Sequence, residues 1–486
     1  MIQAPSGTSP ARESADAETF QPLAWELSPG ADACQAFLSL SGLPHCLFLD
    51  SARRDPMLGR YSFVAADPFD YFETPADGAD ALLQFERLMA GFSAEPMPGL
   101  PPFQGGAAGL FSYDLCRGLE RLPRPAIDEF QAPALAVGFY DVVIAFDHVE
   151  QRAWIVSQGW PETEPSSRRR RAEQRLGYFR ERLSAGRPRR DGQLRQSADA
   201  IAATDLARQY PVGGIKDLTS NLSRGEYLNR AKRAIEYIHA GDVFQVNLAQ
   251  RLLHPARDDS VSLYLRLRQR NPATFSAYFD LGPFQIASAS PERFVKVSHR
   301  GVEARPIKGT RRRTAQAEAD LFAGDELQQS EKDRAENVMI VDLWRNDLSR
   351  VCRPESVHVS QLCRLETYEY VQHLVSAVAG RLRDDCSLVE LLRRTFPGGS
   401  VTGAPKVRAM EIIAELEPTA RGAYCGSLGY LGFDGSMDTS ILIRTITAGR
   451  GWWQAPVGGG IVAQSAPDRE YEETWHKAEG LLRAFE

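Results

Sequence analysis

The stretch ARPIKGTRRR, residues 304–313, carries a lysine, Lys308, between an isoleucine and a glycine. Apolar and β-branched residues just upstream predict a strand pair, which Arg305 and Pro306 bring to an end. Lys308 is therefore predicted at a strand-to-loop junction, where Gly309 leaves room for a ligand to approach the main chain. The alternative interpretation of these residues is a solvated basic turn.

Lys308 is a candidate nucleophile if its amine can lose its proton. A free lysine has a pKa of roughly 10.4, so nucleophilic use requires a depressed value. Arg305 and the arginines at 311–313 would favour such a depression. Upstream, Glu292 follows an apolar segment, and an antiparallel hairpin would bring its carboxylate near Lys308.

Composition excludes several classes of protein. The chain has 486 residues, is 43% hydrophobic and 25% charged, and carries a formal charge of -6, which argues against a general nucleic-acid binder. Its 7 cysteines form no CxxC pair, which is typical of a reducing compartment without a zinc knuckle or disulfide frame. No apolar run approaches the roughly 20 residues that span a bilayer. We expect a cytoplasmic protein with no membrane or nucleic-acid partner.

The chain divides into four predicted regions. Residues 1–21, rich in Ser, Ala, Asp and Glu, predict a disordered tail without a leader sequence. Residues 22–160 predict an N-terminal lobe that is mostly strands, including single strands at 135–148 and 152–157, with a helix at 80–92. Residues 161–217 predict a charged surface helix and a linker, and residues 218–486 form the region densest in patterned chemistry.

Four helices are expected in the last region, including one that begins at about Pro405. In residues 223–240, Ser223 and Glu226 form a capping box ahead of an apolar stripe. A strand follows it, with Phe244 on one face and Gln245 and Asn247 on the other, where they could line a pocket. Residues 331–348 predict a second helix, with Glu336 opposite a buried face of Val338, Met339, Val341, Leu343 and Trp344.

The last of these is the terminal helix, where Glu470, Glu473 and Lys477 share a face. Carboxylates on this helix and on the one carrying Glu336 are hard oxygen ligands that suit Mg²⁺. Acidic residues on helices are, however, commonly solvent-exposed side chains that bind no ligand.

Several further features point to anion binding. The sequence FPGGSVTGAPK, residues 396–406, runs into a helix at about Pro405, and helix N-termini bind anions. It matches neither a P-loop nor a nucleophile elbow. Residues 458–460 predict a glycine loop that forms a second anion nest, and Arg444 lies near the end of a strand predicted at 437–447. His373 is either a satisfied core histidine or an active-site residue.

Four motifs in order, PIKGT, DRAENVMIVDLWRND, FPGGSVTGAPK and GGGIVAQSAPDREYEET, resemble those of the chorismate-utilising enzymes. The resemblance covers about residues 220–486, and the N-terminal half also resembles the larger members. It implies an α+β fold: two α/β halves with stacked antiparallel β-sheets and helices on the outside.

Position 308 separates branches of this family. The anthranilate-forming branch usually carries alanine there, in PIAGT, whereas PIKGT resembles the branch that aminates chorismate at C4. The resemblance implies that Lys308 adds to C2 of chorismate as the C4 hydroxyl leaves, with Glu292 as general acid, and that ammonia then attacks C4 and expels Lys308. Water-using members carry lysine where this chain has Gln245.

The remaining roles are also implied by the resemblance. Mg²⁺ on the ring carboxylate would be held by Glu336, Glu470 and Glu473. The residues matching the substrate pocket are Gly309, Thr310, His373, Thr402, Tyr424, Arg444, Gly460 and Lys477.

Partners are expected from the same resemblance. The chain has no glutaminase motif, so a separate glutamine amidotransferase subunit is the expected source of ammonia, and we expect no fused lyase. A tryptophan pocket is expected at Ser51, Arg60, Tyr61, Ser62 and Phe63, although strand packing would explain these residues equally well. The rival functions are anthranilate formation and a non-catalytic chorismate-binding subunit. Intact Glu292, Lys308, Glu336 and Glu473 disfavour the latter.

Overall fold

The computed structural model describes residues 20–186, 199–312, 317–367 and 371–486. The predicted tail therefore lies almost wholly outside the described residues. The strands in chain order are β1 (Leu23–Glu26), β2 (Leu47–Asp50), β3 (Tyr61–Ala65), β4 (Asp70–Thr74), β5 (Gly106–Phe111), β6 (Leu135–Tyr140), β7 (Val142–Asp147), β8 (Arg152–Ser157), β9 (Tyr210–Pro211), β10 (Thr219–Ser220), β11 (Gln245–Pro255), β12 (Phe275–Asp280), β13 (Phe284–Ser290), β14 (Arg293–Ser298), β15 (Gly301–Ala304), β16 (Ile307–Arg312), β17 (His358–Thr367), β18 (Val371–Arg381), β19 (Gly403–Ala404), β20 (Ser427–Gly432), β21 (Met437–Ile441), β22 (Thr445–Gly449) and β23 (Trp452–Val462).

Helices connect these strands. In chain order they are α1 (Ala33–Leu40), α2 (Ala81–Met89), α3 (Pro165–Ala185), α4 (Arg224–His239), α5 (Ser260–Arg270), α6 (Ala317–Gln329), α7 (Glu331–Ser349), α8 (Leu388–Thr395), α9 (Lys406–Leu416) and α10 (Pro467–Leu482). None of the helices in the described part of the chain is long and apolar enough to cross a membrane.

The strands form two antiparallel sheets. Sheet A runs in the order β1-β8-β7-β3-β2-β12-β13-β22-β23-β11-β10-β9, with β19 paired to β11. Sheet B runs β16-β18-β15-β14-β21-β20-β5-β6-β4, with β17 paired to β18. Both sheets take strands from before and after residues 161–217, so they join the two predicted regions; the division of the chain into those regions stays a prediction.

The two sheets pack against each other. One buried apolar cluster takes side chains such as Phe63 and Ala277 from sheet A and Leu428 and Tyr430 from sheet B. The rings of Phe63 and Tyr430 lie 5.8 Å apart across the interface. Helices cover the outer face of each sheet. The apolar side chains between the helices and the sheet form two further buried clusters, one for each sheet. The predicted α+β arrangement of stacked antiparallel sheets with helices outside is confirmed.

The helices begin where local chemistry predicts. The Ser223 hydroxyl accepts from the Glu226 N–H, and the Glu226 carboxylate accepts from the Ser223 N–H, so the capping box of α4 is present. The helix then buries Tyr227, Ala231 and Ala234 at helical spacing.

One predicted buried face was partly wrong, and one strand begins later than predicted. Helix α7 buries Asn337, Ile340, Val341, Trp344 and Leu348 among others, and Val338 is largely exposed because it lies off that stripe. Strand β11 begins at Gln245, so Phe244 precedes it and is exposed.

The chain passes from one sheet to the other within short connections. The strand predicted at 135–148 is two strands, β6 in sheet B and β7 in sheet A, separated at the buried Asp141. The strand predicted at 437–447 likewise divides into β21 in sheet B and β22 in sheet A, and Arg444 in the connection has φ +51°. Continuous apolar runs indicate buried strands but not a change of sheet, so sequence pattern missed both crossovers.

Two predicted loops are strands. Lys308 lies within β16 rather than at a strand-to-loop junction, because the chain resumes pairing with β18 after Pro306. Gly458 to Gly460 lie within β23 and pair with β11, so they form no loop nest. These glycines pair with β11 on one side only, and the Gly458 carbonyl accepts from Lys477 instead of from the ladder.

Candidate active site

Lys308 faces helix α7 from the edge of sheet B. Its Nζ lies 3.4 Å from Glu336 Oε2, and both side chains are largely buried. A register shift interrupts the pairing of β16 with β18 between Lys308 and Thr310, and Gly309 at that point has φ +70°. A Cβ on Gly309 would lie 2.5 Å from Leu327 and 3.1 Å from Asp333. Glycine at this bulge therefore lets α6 and α7 pack closely against the strand that carries Lys308.

Of the arginines expected beside Lys308, one forms an ion pair with a glutamate and the others have side chains that the structure does not describe. Arg305 pairs with Glu366. The side chains of Arg311 and Arg312, residue 313 and the side chain of Thr310 lie outside the described part of the chain. Depression of the Lys308 pKa by these arginines stays a prediction.

Helix α10 brings a second set of charges to α7. Lys332 Nζ lies 3.9 Å from Glu336 Oε1 and 3.9 Å from Glu470 Oε1, so one ammonium bridges two carboxylates. Glu473 pairs with Lys477 at 2.6 Å, and Lys477 also donates to the Gly458 carbonyl at 3.1 Å. Positive and negative side chains therefore alternate across the gap between the two helices.

Glycines of β23 let these side chains approach the sheet. A Cβ on Gly459 would lie 3.5 Å from a Glu473 oxygen and 3.6 Å from a Glu470 oxygen. Burial would raise the pKa of Glu473, but Lys477, Lys332 and Lys308 together hold it below its ordinary value. Burial raises the pKa of Glu470, and the charge of Glu473 adds to that rise. The opposite shifts give the two neighbouring carboxylates different proton affinities.

Glu292 occupies the crossover between β13 in sheet A and β14 in sheet B. Its side chain is buried, and the Ser400 hydroxyl donates to Glu292 Oε1 at 3.1 Å. Burial raises the pKa of Glu292 to about 7, although Ser400, Lys308, the Ile307 main chain and Lys477 all favour the charged form. A carboxyl with this pKa exchanges a proton readily near neutral pH.

Two further groups near Lys308 belong to the same region. His373 lies on β18 opposite Thr310, is buried, and has its pKa lowered to about 4 by burial and then by the charges of Arg444 and Arg53. It is therefore neutral at physiological pH. Among the described residues, the Arg444 guanidinium has no hydrogen-bond or ion-pair partner, and burial lowers its pKa. A poorly solvated, unpaired cation of this kind is suited to binding an anionic group.

Strand β11 contributes buried amides. Gln245 is fully buried, and within the described residues neither its side-chain oxygen nor its side-chain nitrogen has a hydrogen-bond partner. A Cβ on Gly460 would lie 3.1 Å from that amide. The Asn247 side-chain oxygen is likewise unpartnered, and Asn247 lies opposite Gly460 in the ladder. Thr402 is buried and donates to the Gly398 carbonyl at 2.9 Å, and Tyr424 is also buried.

A family model described as chorismate binding enzyme matches residues 48–483. The chain belongs to this family of chorismate-binding enzymes. The resemblance identified from four motifs is thereby confirmed and extends over the N-terminal half as well.

Curated relatives of this chorismate-binding enzyme fall into two groups. Aminodeoxychorismate synthase component 1 of Klebsiella aerogenes is 39% identical over 474 residues, covering 94% of this chain and 97% of the relative. Anthranilate synthase component 1 of Thermus thermophilus is 41% identical over 402 residues, covering 83% of this chain and 81% of the relative. Overall similarity therefore does not separate the two activities.

Solved structures agree with the fold. Anthranilate synthase component I from Streptococcus pneumoniae superposes with a TM-score of 0.72 at 30% identity, covering 87% of this chain and 92% of that one. The isochorismate synthase MenF of Escherichia coli gives a TM-score of 0.70 at 18% identity, which concerns the fold alone.

The carboxylates predicted to bind a divalent cation lie on helices α7 and α10. The Lys332 ammonium already lies between carboxylates of α7 and α10, so a positive charge is accommodated there. Glutamate oxygens are the hard ligands that Mg²⁺ takes. Within the described ranges, no group of three or more Asp, Glu, His or Cys side chains converges closely enough to enclose a metal. That Glu336, Glu470 and Glu473 hold Mg²⁺ stays a prediction.

The residues proposed for a tryptophan pocket lie elsewhere in the enzyme. Ser51, Arg60, Tyr61 and Phe63 line a cavity of about 290 Å³ between the two sheets, together with residues such as Arg293. Ser62 does not line it and instead bonds His148 at 2.7 Å. The cavity approaches the size at which small-molecule sites begin.

Sequence reasoning missed three residues that the tertiary structure adds to the site. Ser400 bonds Glu292, Lys332 bridges Glu336 to Glu470, and Arg421 donates to main-chain carbonyls on two site segments. Ser400 lies inside the motif FPGGSVTGAPK, and Lys332 directly precedes the motif DRAENVMIVDLWRND. Lys332 and Glu336 are one helical turn apart, but Glu470 and Glu292 lie far from Lys332 and Ser400 in the chain, and local pattern carries no signal for such distant contacts.

Proposed function

We propose that this protein is an aminodeoxychorismate synthase component 1, which converts chorismate and ammonia to 4-amino-4-deoxychorismate. The observation that carries the proposal is the placement of the Lys308 amine beside Glu336 in a largely buried site. The charge of Lys308 also acts on the nearby Glu292 carboxyl, where it favours the ionised form. An alanine at position 308 would leave that site without a nucleophile.

Chorismate is a dianion, so the site must supply positive charge. Arg444 is half-buried and has no partner among the described residues, and Lys477 supplies a second positive charge beside Glu473. Mg²⁺, when bound by Glu336, Glu470 and Glu473, would act as a Lewis acid toward the ring carboxylate. His373, Thr402, Tyr424 and Gly460 would complete the walls of the substrate pocket.

The chemistry is two successive substitutions at the ring. The neutral amine of Lys308 forms a bond to C2 while the bond from C4 to its hydroxyl breaks, and protonated Glu292 gives its proton to that hydroxyl, which leaves as water. Ammonia then forms the new bond at C4, the bond from C2 to Lys308 breaks, and the amine is returned. A carboxyl whose pKa is near 7 can hold the proton that the first step needs.

Product identity tests the proposal. Purified protein would be incubated with chorismate, Mg²⁺ and an ammonium salt at mildly alkaline pH, and the product analysed by mass spectrometry and fluorescence. We expect a product that a separate lyase converts to 4-aminobenzoate. Lys308→Ala should lose most of this activity, whereas Lys232→Ala, at an exposed position on α4, should keep it. Fluorescent anthranilate would instead establish the alternative, an anthranilate synthase component 1.

A glutamine amidotransferase subunit is the proposed source of ammonia. The names of the relatives carry the words component 1, which supports a second component. With glutamine in place of ammonium, the purified chain should be inactive until such a subunit is added. Unaided use of glutamine would refute this part of the proposal.

The cavity between the sheets is proposed to bind tryptophan. Its lining combines the apolar and aromatic surfaces of Phe63 and Tyr61 with the polar groups of Ser51 and Arg293. This mixture suits a ligand that has an indole ring at one end and a charged amino acid group at the other.

A further inference from the structure

Ser400 holds one oxygen of the buried Glu292 carboxylate. The two side chains are 8% and 6% exposed, and the hydroxyl donates to Glu292 Oε1 over 3.1 Å. Within the described part of the chain, no other side chain is recorded as a hydrogen-bond donor to this carboxylate. The Ile307 main chain is a further hydrogen-bond partner of the same carboxylate.

The turn that carries Ser400 is anchored from outside the site. Ser400 belongs to a short 3-10 turn, Gly399–Val401, next to the buried Thr402. Arg421 Nη1 donates to the Val401 carbonyl at 3.0 Å, and Nη2 donates to the Asn247 carbonyl on β11 at 3.1 Å. The same guanidinium pairs with the buried Glu417 at 2.6 Å.

Glu417 extends this anchor into the sheet. Its Oε1 also accepts from the Ala249 N–H of β11 at 2.9 Å. A buried ion pair thus connects the Ser400 turn to β11 on its far side. Because each donor is directed at a fixed main-chain carbonyl, rotation of the turn would leave buried polar groups unpaired.

We propose that Ser400 is a positioning residue for Glu292, which fixes the carboxylate through Oε1 so that its proton can be exchanged with the substrate, and that Arg421 holds the turn in place. The proposal deepens the proposed function and rests on it for the role of Glu292 as the acid. Ser400 itself forms and breaks no covalent bond.

The test compares the titration of Glu292 in matched variants. Infrared difference spectra against pH would follow the carboxyl signal that disappears in Glu292→Gln. A donated hydrogen bond favours the charged carboxylate, so Ser400→Ala should move the midpoint upward by about one pH unit. Ser400→Thr keeps the hydroxyl and should restore the original midpoint.

Ser436→Ala is the matched control. Ser436 is equally buried and also donates to a carboxylate, Asp434, but lies in the turn between β20 and β21 away from Glu292. Its loss should leave the Glu292 midpoint unchanged. Arg421→Lys keeps a charge opposite Glu417 but loses the forked geometry, and should move the midpoint in the same direction as Ser400→Ala.

Activity is the second readout. With chorismate, Ser400→Ala should lower kcat more than it raises KM and shift the basic limb of the pH profile upward with the spectroscopic midpoint. An unchanged midpoint in folded Ser400→Ala overturns the proposal whether or not the protein turns over chorismate. A shifted midpoint supports it, and full turnover by Glu292→Gln would then overturn only the acid role assigned under the proposed function.

Discussion

Lys308 Nζ lies 3.4 Å from Glu336 Oε2, and this contact joins strand β16 to helix α7 within a largely buried site. Glu336 is shared, because its other oxygen lies 3.9 Å from Lys332. One carboxylate thus faces both the proposed nucleophile and the proposed cation site. A change at Glu336 should therefore affect both.

Glu336→Gln and Glu470→Gln should each weaken Mg²⁺ binding by at least about tenfold, because each removes a charged oxygen ligand. Isothermal titration of the purified protein with MgCl₂ measures this without turnover. Glu331→Gln, at an exposed position on the same helix α7, is the matched control and should bind Mg²⁺ like the unaltered protein. Equal affinities for all three variants would remove these glutamates from the metal site.

Glu292→Gln should stabilise the fold at alkaline pH. Burial raises the pKa of Glu292 from 4.5 to about 7, so the folded state binds the proton more tightly than the unfolded state does. Stability is therefore lost as pH rises from about 4.5 to about 7, by at most about 3 kcal/mol. A glutamine cannot ionise and avoids this loss.

Urea denaturation at two pH values measures the effect. The stability gain of Glu292→Gln should be present at pH 8 and absent at pH 4.5. A more stable Glu292→Gln variant at pH 8 would show that the ionisable carboxyl at this position lowers the stability of the unaltered protein. Equal stability of the variant and the unaltered protein at pH 8 would contradict the raised pKa.

Arg421→Met should destabilise the protein by about 3–5 kcal/mol, because Glu417 would remain buried without its partner. The double variant Arg421→Met, Glu417→Gln should recover part of that loss. Arg169→Met removes one member of an exposed pair with Glu173 and should change stability by less than about 1 kcal/mol. Similar small losses for both arginines in urea denaturation would show that the buried pair is not an anchor.

Tryptophan should raise the melting temperature if it binds the cavity between the sheets. Binding to the folded state alone adds about 2.7 kcal/mol at one hundred times the Kd. Differential scanning fluorimetry with an extrinsic dye measures the shift, and alanine, which lacks the indole ring, serves as the control ligand. An unchanged melting temperature at saturating tryptophan would count against the pocket at Ser51, Arg60, Tyr61 and Phe63.

Helices were predictable because their signals are local. Ser223 and Glu226 lie within one turn of each other, and the apolar stripe of α4 repeats at the spacing of the helix itself. The shared face of Glu470, Glu473 and Lys477 on α10 follows from the same periodicity. These features depend on residues a few positions apart, so sequence pattern contains them.

Crossovers between sheets were not predictable in this way. The chain changes sheet at Asp141 and at Arg444 within otherwise continuous buried runs. A buried strand has the same apolar pattern in either sheet, so the pattern does not record which sheet a strand joins. Lys308 was placed in a loop for a related reason, since pairing of β16 depends on a strand far along the chain.

The sequence by itself determined the family, the α+β class and the residue types available for chemistry, because long ordered motifs and short-range periodicities are properties of the chain. The tertiary structure alone decided the partners: Ser400 with Glu292, Lys332 with Glu470, and Arg421 with the carbonyls of Val401 and Asn247. Such contacts join residues far apart in sequence, and they form only when two sheets and their covering helices bring those residues within hydrogen-bonding distance.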